Sequence, residues 1–406
     1  MRPRTTLAAL GTSLLLSTTA VAAFAPAASA ATPTLTVSST QALPNVVQNA
    51  HVVGRDNGQS APYQGKSVWI FDDTILRNPD GFLTNSGAIT SDLNGADGIT
   101  LKSDNPFTDT SADEAGTPSE IIPLTAAEKA FQSAHAQPPC TTGTDPYCGT
   151  VYGFWPGPVV ADPARHRIIF SYGKLCRGGA DGSPCASGFI GVPIGTGFAQ
   201  LDMNTRTVTR IKVQNPDPSI TSPELTGPDD TMMWPPDGTK TWGGGQMLIQ
   251  GDTLYAWGGC TAQTNICGVA KVPVGQLQNR LAWRFYTGTS NGQPVWSANP
   301  ADAVSVGEID GAAGGTVQYV PALHGYLNTY MAGISGVAVY QTAPNPWGPW
   351  TDPKTMFTGD PTNTLWDYAM FAHPEYATDG GLTQYITYYN PQTTQQELVR
   401  VNFAVH

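Results

Sequence analysis

The sequence predicts an all-β protein, a five-bladed β-propeller with a loop and helix insertion in or after the first blade, on three observations. Short apolar runs recur five times in one order, Gly and Pro are abundant while charge is sparse, and a single stretch carries a helix signature. With 44 Gly, 34 Pro and 13% charged residues, against ~25% in an ordinary domain, little material is left for long helices. A two-sheet sandwich is the rival architecture, but it does not need this internal order.

At the N-terminus Arg2 and Arg4 precede an Ala- and Leu-rich stretch that closes with Ala28-Ser29-Ala30. This predicts a secretory signal over residues 1–30 and a single secreted domain over 31–406. No later segment is long and apolar enough to span a bilayer. In an oxidising compartment the close pairs Cys140 with Cys148, Cys176 with Cys185 and Cys260 with Cys267 read as local disulfides. Zinc is the weaker reading, since no CxxC spacing or paired His accompanies them.

The first unit opens with Arg55-Asp56-Asn57-Gly58 and continues through apolar runs at 68–74 and 85–92. Val68-Trp69-Ile70-Phe71 has no polar member, so it reads as a strand covered on both faces. An insert from about 95 to 156 follows, with a helix over 123–132 capped by Thr125 and boxed by Glu128. The second unit holds runs at 159–162, 167–172, 198–202 and 207–213, and the third at 246–249, 253–257 and 268–272. The fourth runs through 316–320, 326–330 and 337–341, and the fifth through 370–375, 383–389 and 397–401.

A net charge of −11 argues against a nucleic-acid partner, which needs clustered Lys and Arg. It suits a monomer that acts on a neutral sugar, with no membrane partner. No cofactor is required by any motif present, although Asp-rich loops could hold a structural calcium ion. There is no P-loop, no dinucleotide-binding Gly pattern placed between strand and helix, and no GxSxG elbow leading into a helix.

A propeller gathers the starts of its innermost strands round the axis, and those entries are rich here in acids, Trp and Gly. Two carboxyl groups beside aromatic platforms are what glycoside hydrolysis needs: one protonates the leaving oxygen, the other activates water or attacks the anomeric carbon. Asp56 and Asp73 are the candidate catalysts, with no metal site. Arg55, Trp155, Trp242, Glu308, His373 and Glu375 are the candidate substrate-binding residues. Each has a plainer reading. Asp-Asn-Gly at 56–58 is a turn sequence, Asp72 and Asp73 could cap a turn, His373 could be an interior hydrogen-bonded His, and Glu375 could pair with Arg400. A non-catalytic carbohydrate-binding propeller, or a module for a protein partner, would also satisfy the pattern.

Gly54-Arg55-Asp56-Asn57-Gly58-x-Ser60 and Gly65-Lys66-Ser67-Val68-Trp69-Ile70-Phe71-Asp72-Asp73-Thr74 resemble the opening of a family of secreted five-bladed propellers. That family was long catalogued as a domain of unknown function and includes endo-D-arabinanases of cell-wall arabinan. Pro346-Trp347-Gly348-Pro349-Trp350, the ending from His373-Pro374-Glu375 through Asp379-Gly380-Gly381 to Tyr388-Tyr389-Asn390, and Leu398-Val399-Arg400-Val401 are similar as well. The resemblance implies Asp56 and Asp73 as the catalytic pair and arabinan as the substrate. The family's strand ends Trp-x-Phe-Gly-Asp-Thr, so Asp72 stands where Gly is usual. Because adjacent strand residues face opposite ways, Asp73 is expected in the channel with Asp56, and Asp72 is left to the turn or to a modulating role.

Overall fold

The fold is described from a computed structural model, which places residues 33–101, 116–186, 188, 190–260, 266–309, 314–333 and 335–406. The expected secretory signal lies outside these residues.

Five antiparallel sheets follow one another along the chain and form the five blades of a propeller. The innermost strands are Val52–Tyr63, Val151–Asp162, Trp242–Gln250, Gly315–Val320 and Tyr368–Ala372, and each touches the next round the ring. Blade 1 adds Lys66–Leu76, which pairs outward with both Gly81–Leu83 and Ser86–Thr90. Blade 2 is completed by Arg167–Arg177, Val192–Asp202 and Thr207–Arg210, and blade 4 by Gly325–Met331, Val337–Ala343 and Lys354–Thr358. Blade 3 continues past its fourth strand, Arg284–Ser290, into an extra hairpin strand, Gln293–Ser297. Blade 5 takes Thr383–Asn390 and Gln395–Val405 from the C-terminal end of the chain and its outermost strand, Leu35–Leu43, from the N-terminal end.

The all-apolar run in blade 1 shows why the architecture holds. Val68 and Ile70 enter a core shared with blade 2, while Trp69 and Phe71 on the opposite face enter a core shared with blade 5; none of the four is more than 1% exposed. A blade flanked on both sides must be apolar on both, so strict hydrophobic alternation gives way to continuous runs.

Two differences from the sequence reading concern strands with polar sequences. The run at 68–74 is the second strand of blade 1; the first, Val52–Tyr63, contains the Asp-Asn-Gly that reads as a turn. The closing strand Leu35–Leu43 is Thr- and Ser-rich and half solvated, so it carries no strong hydrophobic signal. The insert contains the expected helix, α1 (Ala126–Ala134), with Thr125 and Glu128 forming the capping box. The three cysteine pairs form disulfides as expected.

Helix α1 is tied to blade 2 by a buried charge cluster. Lys174, whose side chain is 0% exposed, places Nζ 2.7 Å from Glu128, 2.5 Å from Glu224 and 2.8 Å from Asp229. Arg210 reaches Glu128 at 2.6 Å and donates to the Tyr172 hydroxyl. Burial alone would raise the Glu128 pKa, but Arg210 and Lys174 outweigh it and hold the carboxyl below its usual range. Among the described residues these three acids are the one group close enough to share a cation, and the Lys174 ammonium sits in their midst. Removing one member of such a cluster leaves uncompensated buried charge. Lys174→Met is therefore expected to lower the unfolding free energy by about 3–5 kcal/mol, read from urea unfolding; an unchanged midpoint would contradict this account of how α1 is held.

Candidate active site

The site is built on an irregularity in the innermost strand of blade 1. The register of Val52–Tyr63 against Lys66–Leu76 slips on either side of Asn57, which adopts a left-handed φ of 67°. Gly58 follows at φ 110°, where a Cβ would meet the Phe71 ring at 3.1 Å and the Gln396 side chain at 3.3 Å. This is a β-bulge, the device by which a strand re-aims a side chain. It is clamped from blade 5: Gln396 Nε2 donates to the carbonyls of both Arg55 and Asn57, at 2.8 and 2.7 Å. The residue between those carbonyls is Asp56.

Asp56 accepts from the Asn57 N–H at 2.6 Å and, on its other oxygen, from the Tyr368 hydroxyl at 2.9 Å. Burial raises its pKa to about 6; the Tyr368 and Asn57 hydrogen bonds oppose the shift and the charge of Asp73 adds to it. Lys66–Leu76 runs through the acidic doublet without turning. Asp72 accepts from Asn57 Nδ2 at 3.0 Å, and the same amide donates to the Pro156 carbonyl at 3.2 Å. The other oxygen of Asp72 is buried and meets no donor. Burial, followed by the charge of Asp56, lifts the Asp72 carboxyl well above the usual range. Asp73 accepts from Trp155 Nε1 at 3.0 Å. Burial raises its pKa, against the pull of Trp155 and Arg177. Tyr389, its ring 5.5 Å from that of Tyr368, is pushed up to about 12 by burial and by the charges of Asp56 and Asp73.

Three acids from two neighbouring strands thus sit within electrostatic reach of one another, and one of them, Asp72, lines a cavity of about 430 Å³ between the innermost strands. Asn57, Asp72, Trp155, Gly157, Gly244 and Gly314 help to line it, contributed by blades 1 and 2 and by the entries of blades 3 and 4. The doublet divides otherwise than the sequence reading has it. No turn follows for Asp72 to cap, and Asp72 lines the cavity, while Asp73 is 9% exposed and held against Trp155.

Trp155 lies in the cavity wall, in keeping with a platform. The other candidate binding residues are placed elsewhere. Arg55 is buried, its guanidinium 4.8 Å from the Phe71 ring and its Nη1 3.5 Å from Gln48 Oε1, so it packs beneath the bulge. Trp242 is 2% exposed against Phe285, in space left by Gly259 and Gly268, and belongs to the core of blade 3. His373 is fully buried between Ser60 and Thr387, 4.2 Å from the Trp69 ring, and burial lowers its pKa to about 3, so it is a neutral packing residue. Glu375 accepts from Ser60 and Ser67 rather than pairing with Arg400, which donates to Gln41. His373 and Glu375 therefore fasten blade 5 to blade 1. Glu308 lies on the short strand Gly307–Glu308, paired with the Ile266 end of blade 3. Asp310 and most of the Gly-Ala-Ala-Gly-Gly run fall outside the described residues.

Asn57, Tyr368 and Gln396 escape sequence reasoning. Tyr368 and Gln396 meet Asp56 and its flanking carbonyls from 312 and 341 residues away along the chain, and no local pattern marks them.

Residues 210–396 match the family described as a domain of unknown function, DUF4185. The match is less than half of the chain; it runs from the last strand of blade 2 to Gln396 and leaves Asp56, Asp72, Asp73 and Trp155 outside. No curated protein matches. Among solved structures, a protein of Bacteroides ovatus is 14% identical with a TM-score of 0.48, covering 89% of this chain and 87% of that one. An exo-β-1,3-galactanase of Phanerochaete chrysosporium is 10% identical (TM-score 0.42; 91% of this chain, 64% of that one). The catalytic domain of an α-L-arabinofuranosidase of Coprinopsis cinerea is 10% identical (TM-score 0.41; 89% and 96%).

A carboxyl raised from 3.8 to about 6 favours the folded state only while it is protonated. The stability it contributes is complete below its unfolded value and is lost as pH rises through about 6. Asp56→Asn removes that dependence, so from about pH 4 to pH 7 the wild type should lose about 3 kcal/mol relative to the variant, measured by chemical denaturation at several pH values. Parallel profiles would show that Asp56 titrates normally.

Proposed function

We propose that this protein is a secreted glycoside hydrolase that cleaves furanosyl linkages of a neutral cell-wall polysaccharide, with Asp56 and Asp73 as its carboxyl pair. The observation that carries the reading is the grouping of three acids beside one cavity, Asp72 in its wall, Asp56 next to the lining residue Asn57 and Asp73 bonded to the lining residue Trp155, with Asp56 raised to about 6. Groups driven so far from their ordinary values by burial and like charge, in a cleft, are those an enzyme uses for acid and base work.

The environments suggest the roles. Asp56 keeps its proton up to about pH 6 and acts as the general acid, passing it to the leaving glycosidic oxygen as the C–O bond breaks. Asp73 is raised by burial, but the Trp155 indole N–H and the Arg177 charge oppose the shift and favour its ionised form, which suits it to serve as base or nucleophile at the anomeric carbon. Burial and the charge of Asp56 raise Asp72 well above the usual carboxyl range, which disfavours a third negative charge in the cavity wall. The scheme uses carboxyl groups alone. Arabinan as substrate rests on the resemblance of residues 54–60 and 65–74 to arabinanase-type propellers, and a neutral glycan suits the acidic chain. The three disulfides and the leader-like N-terminus support an extracellular site of action.

Incubation with arabinan and cell-wall arabinogalactan should release new reducing ends, and Asp56→Asn and Asp73→Asn should each cut the rate by about 10²–10⁴-fold. The kcat/KM profile should decline as pH rises above about 6, where Asp56 loses its proton. Saturable glycan binding without reducing ends would point instead to a carbohydrate-binding propeller, and undiminished hydrolysis by both variants would sink the assignment.

A further inference from the structure

Immediately before Tyr368, the residue that holds Asp56, the chain exposes Leu365 and Trp366 side by side, at 46% and 54%. Trp366 is the one exposed tryptophan among the described residues, although the chain has ten. A large indole left half in water forgoes hydrophobic stabilisation, so its exposure calls for a reason.

Looseness of the loop does not supply one. Asp367, 3% exposed, accepts from the Asp360 N–H at 2.8 Å and from Asn363 Nδ2 at 2.6 Å. Asn363 also donates to Asn390 Oδ1 at 3.1 Å, while its own Oδ1 accepts from the Leu365 N–H at 2.9 Å. The Thr364 N–H and hydroxyl both donate to Gln392 Oε1, at 2.8 and 3.2 Å. Gly359 completes the brace, since a Cβ there would meet Asp367 Oδ2 at 2.2 Å. The pair of apolar side chains is therefore presented on a fixed shelf, and a ligand that lands on it pays little ordering cost.

We propose that Leu365 and Trp366 form a subsite on which one sugar ring of the glycan stacks beside the cleavage point, an assignment that rests on the hydrolase reading above. Trp366 is two residues from Tyr368, so its backbone lies within about 7 Å of the residue that donates to Asp56. The shelf is thus joined through Asp367 to the residue that holds Asp56. An indole face matches the C–H face of a sugar, and the neighbouring Asn363, Thr364 and Asp360 offer hydroxyl partners. Residues 359–367 contain two acids and no Lys or Arg, which disfavours an anionic ligand.

The test separates this subsite from the chemistry. In native gels containing arabinan or arabinogalactan, the Asp73→Asn protein should be retarded, and adding Trp366→Ala should weaken the apparent affinity about tenfold or more, ~1.4 kcal/mol. Leu365→Ala should weaken it less, and Trp366→Phe should restore most of it. In the cutting chain, Trp366→Ala should appear as a raised KM on polymer rather than a lowered kcat, with an unchanged thermal midpoint. Glycan retardation that Trp366→Ala leaves intact, or no retardation of the parent on any of these gels, overturns the subsite. Trp366-dependent retardation by a chain that releases no reducing ends keeps the subsite and overturns the hydrolase.

Discussion

Ring closure is the constraint on which everything else in this molecule depends. Each blade buries its two faces against its neighbours, so an open ring would leave two apolar faces in water. The junction that closes it lies between blades 5 and 1, and blade 5 is itself made from both ends of the chain, with Leu35 opposite Val405 and Leu43 opposite Leu398. The polar fastenings gather at the same seam. His373 and Glu375 hold Ser60, Ser67 and Thr387, Gln396 holds the bulge, and Tyr368 holds Asp56. The seam that makes the ring stable also fixes Asp56 and the bulge that carries it, while Asp72 and Asp73 are held by Asn57 and by Trp155 of blade 2.

The chain treats two groups of buried acids in opposite ways. Beneath helix α1, three carboxylates surround Lys174 and Arg210, and their charges are matched closely enough that burial does not keep Glu128 or Asp229 from ionising. At the axis, Asp56, Asp72 and Asp73 receive hydrogen bonds from neutral donors, and the cation that acts on Asp73, Arg177, does not bring its pKa back to normal. The first arrangement serves cohesion; the second stores unfavourable desolvation where charge can be put to use. Composition alone does not distinguish them, because both draw on the same acidic residues.

What the sequence made legible follows from how local each signal is. The blades were readable from apolar runs such as Val68 to Phe71, the helix from Thr125 and Glu128, and the disulfides from cysteines seven to nine residues apart. The innermost strand of blade 1 was hidden because Asp-Asn-Gly carries a true turn signal: Asn57 does adopt a left-handed conformation, but as a bulge inside a strand. The entry Trp242-Gly243-Gly244-Gly245 suggested a platform, yet Gly259 and Gly268 make room for that indole in the core. The partners of Asp56 were beyond reach because closure of the ring, not neighbourhood in the chain, brings them there.

The split origin of blade 5 also bears on the order in which the molecule can become competent. During synthesis the ribosome delivers Asp56, Asp72 and Asp73 early and Tyr368, His373, Glu375 and Gln396 late. For most of translation the acids sit in a blade whose second neighbour does not yet exist, and Leu35–Leu43 waits for a strand that ends at Val405. Slow, non-local pairing of this kind comes last in folding. The nascent chain therefore carries these acids before Tyr368 and Gln396 exist, and the contacts that hold Asp56 and its bulge form only with the last blade.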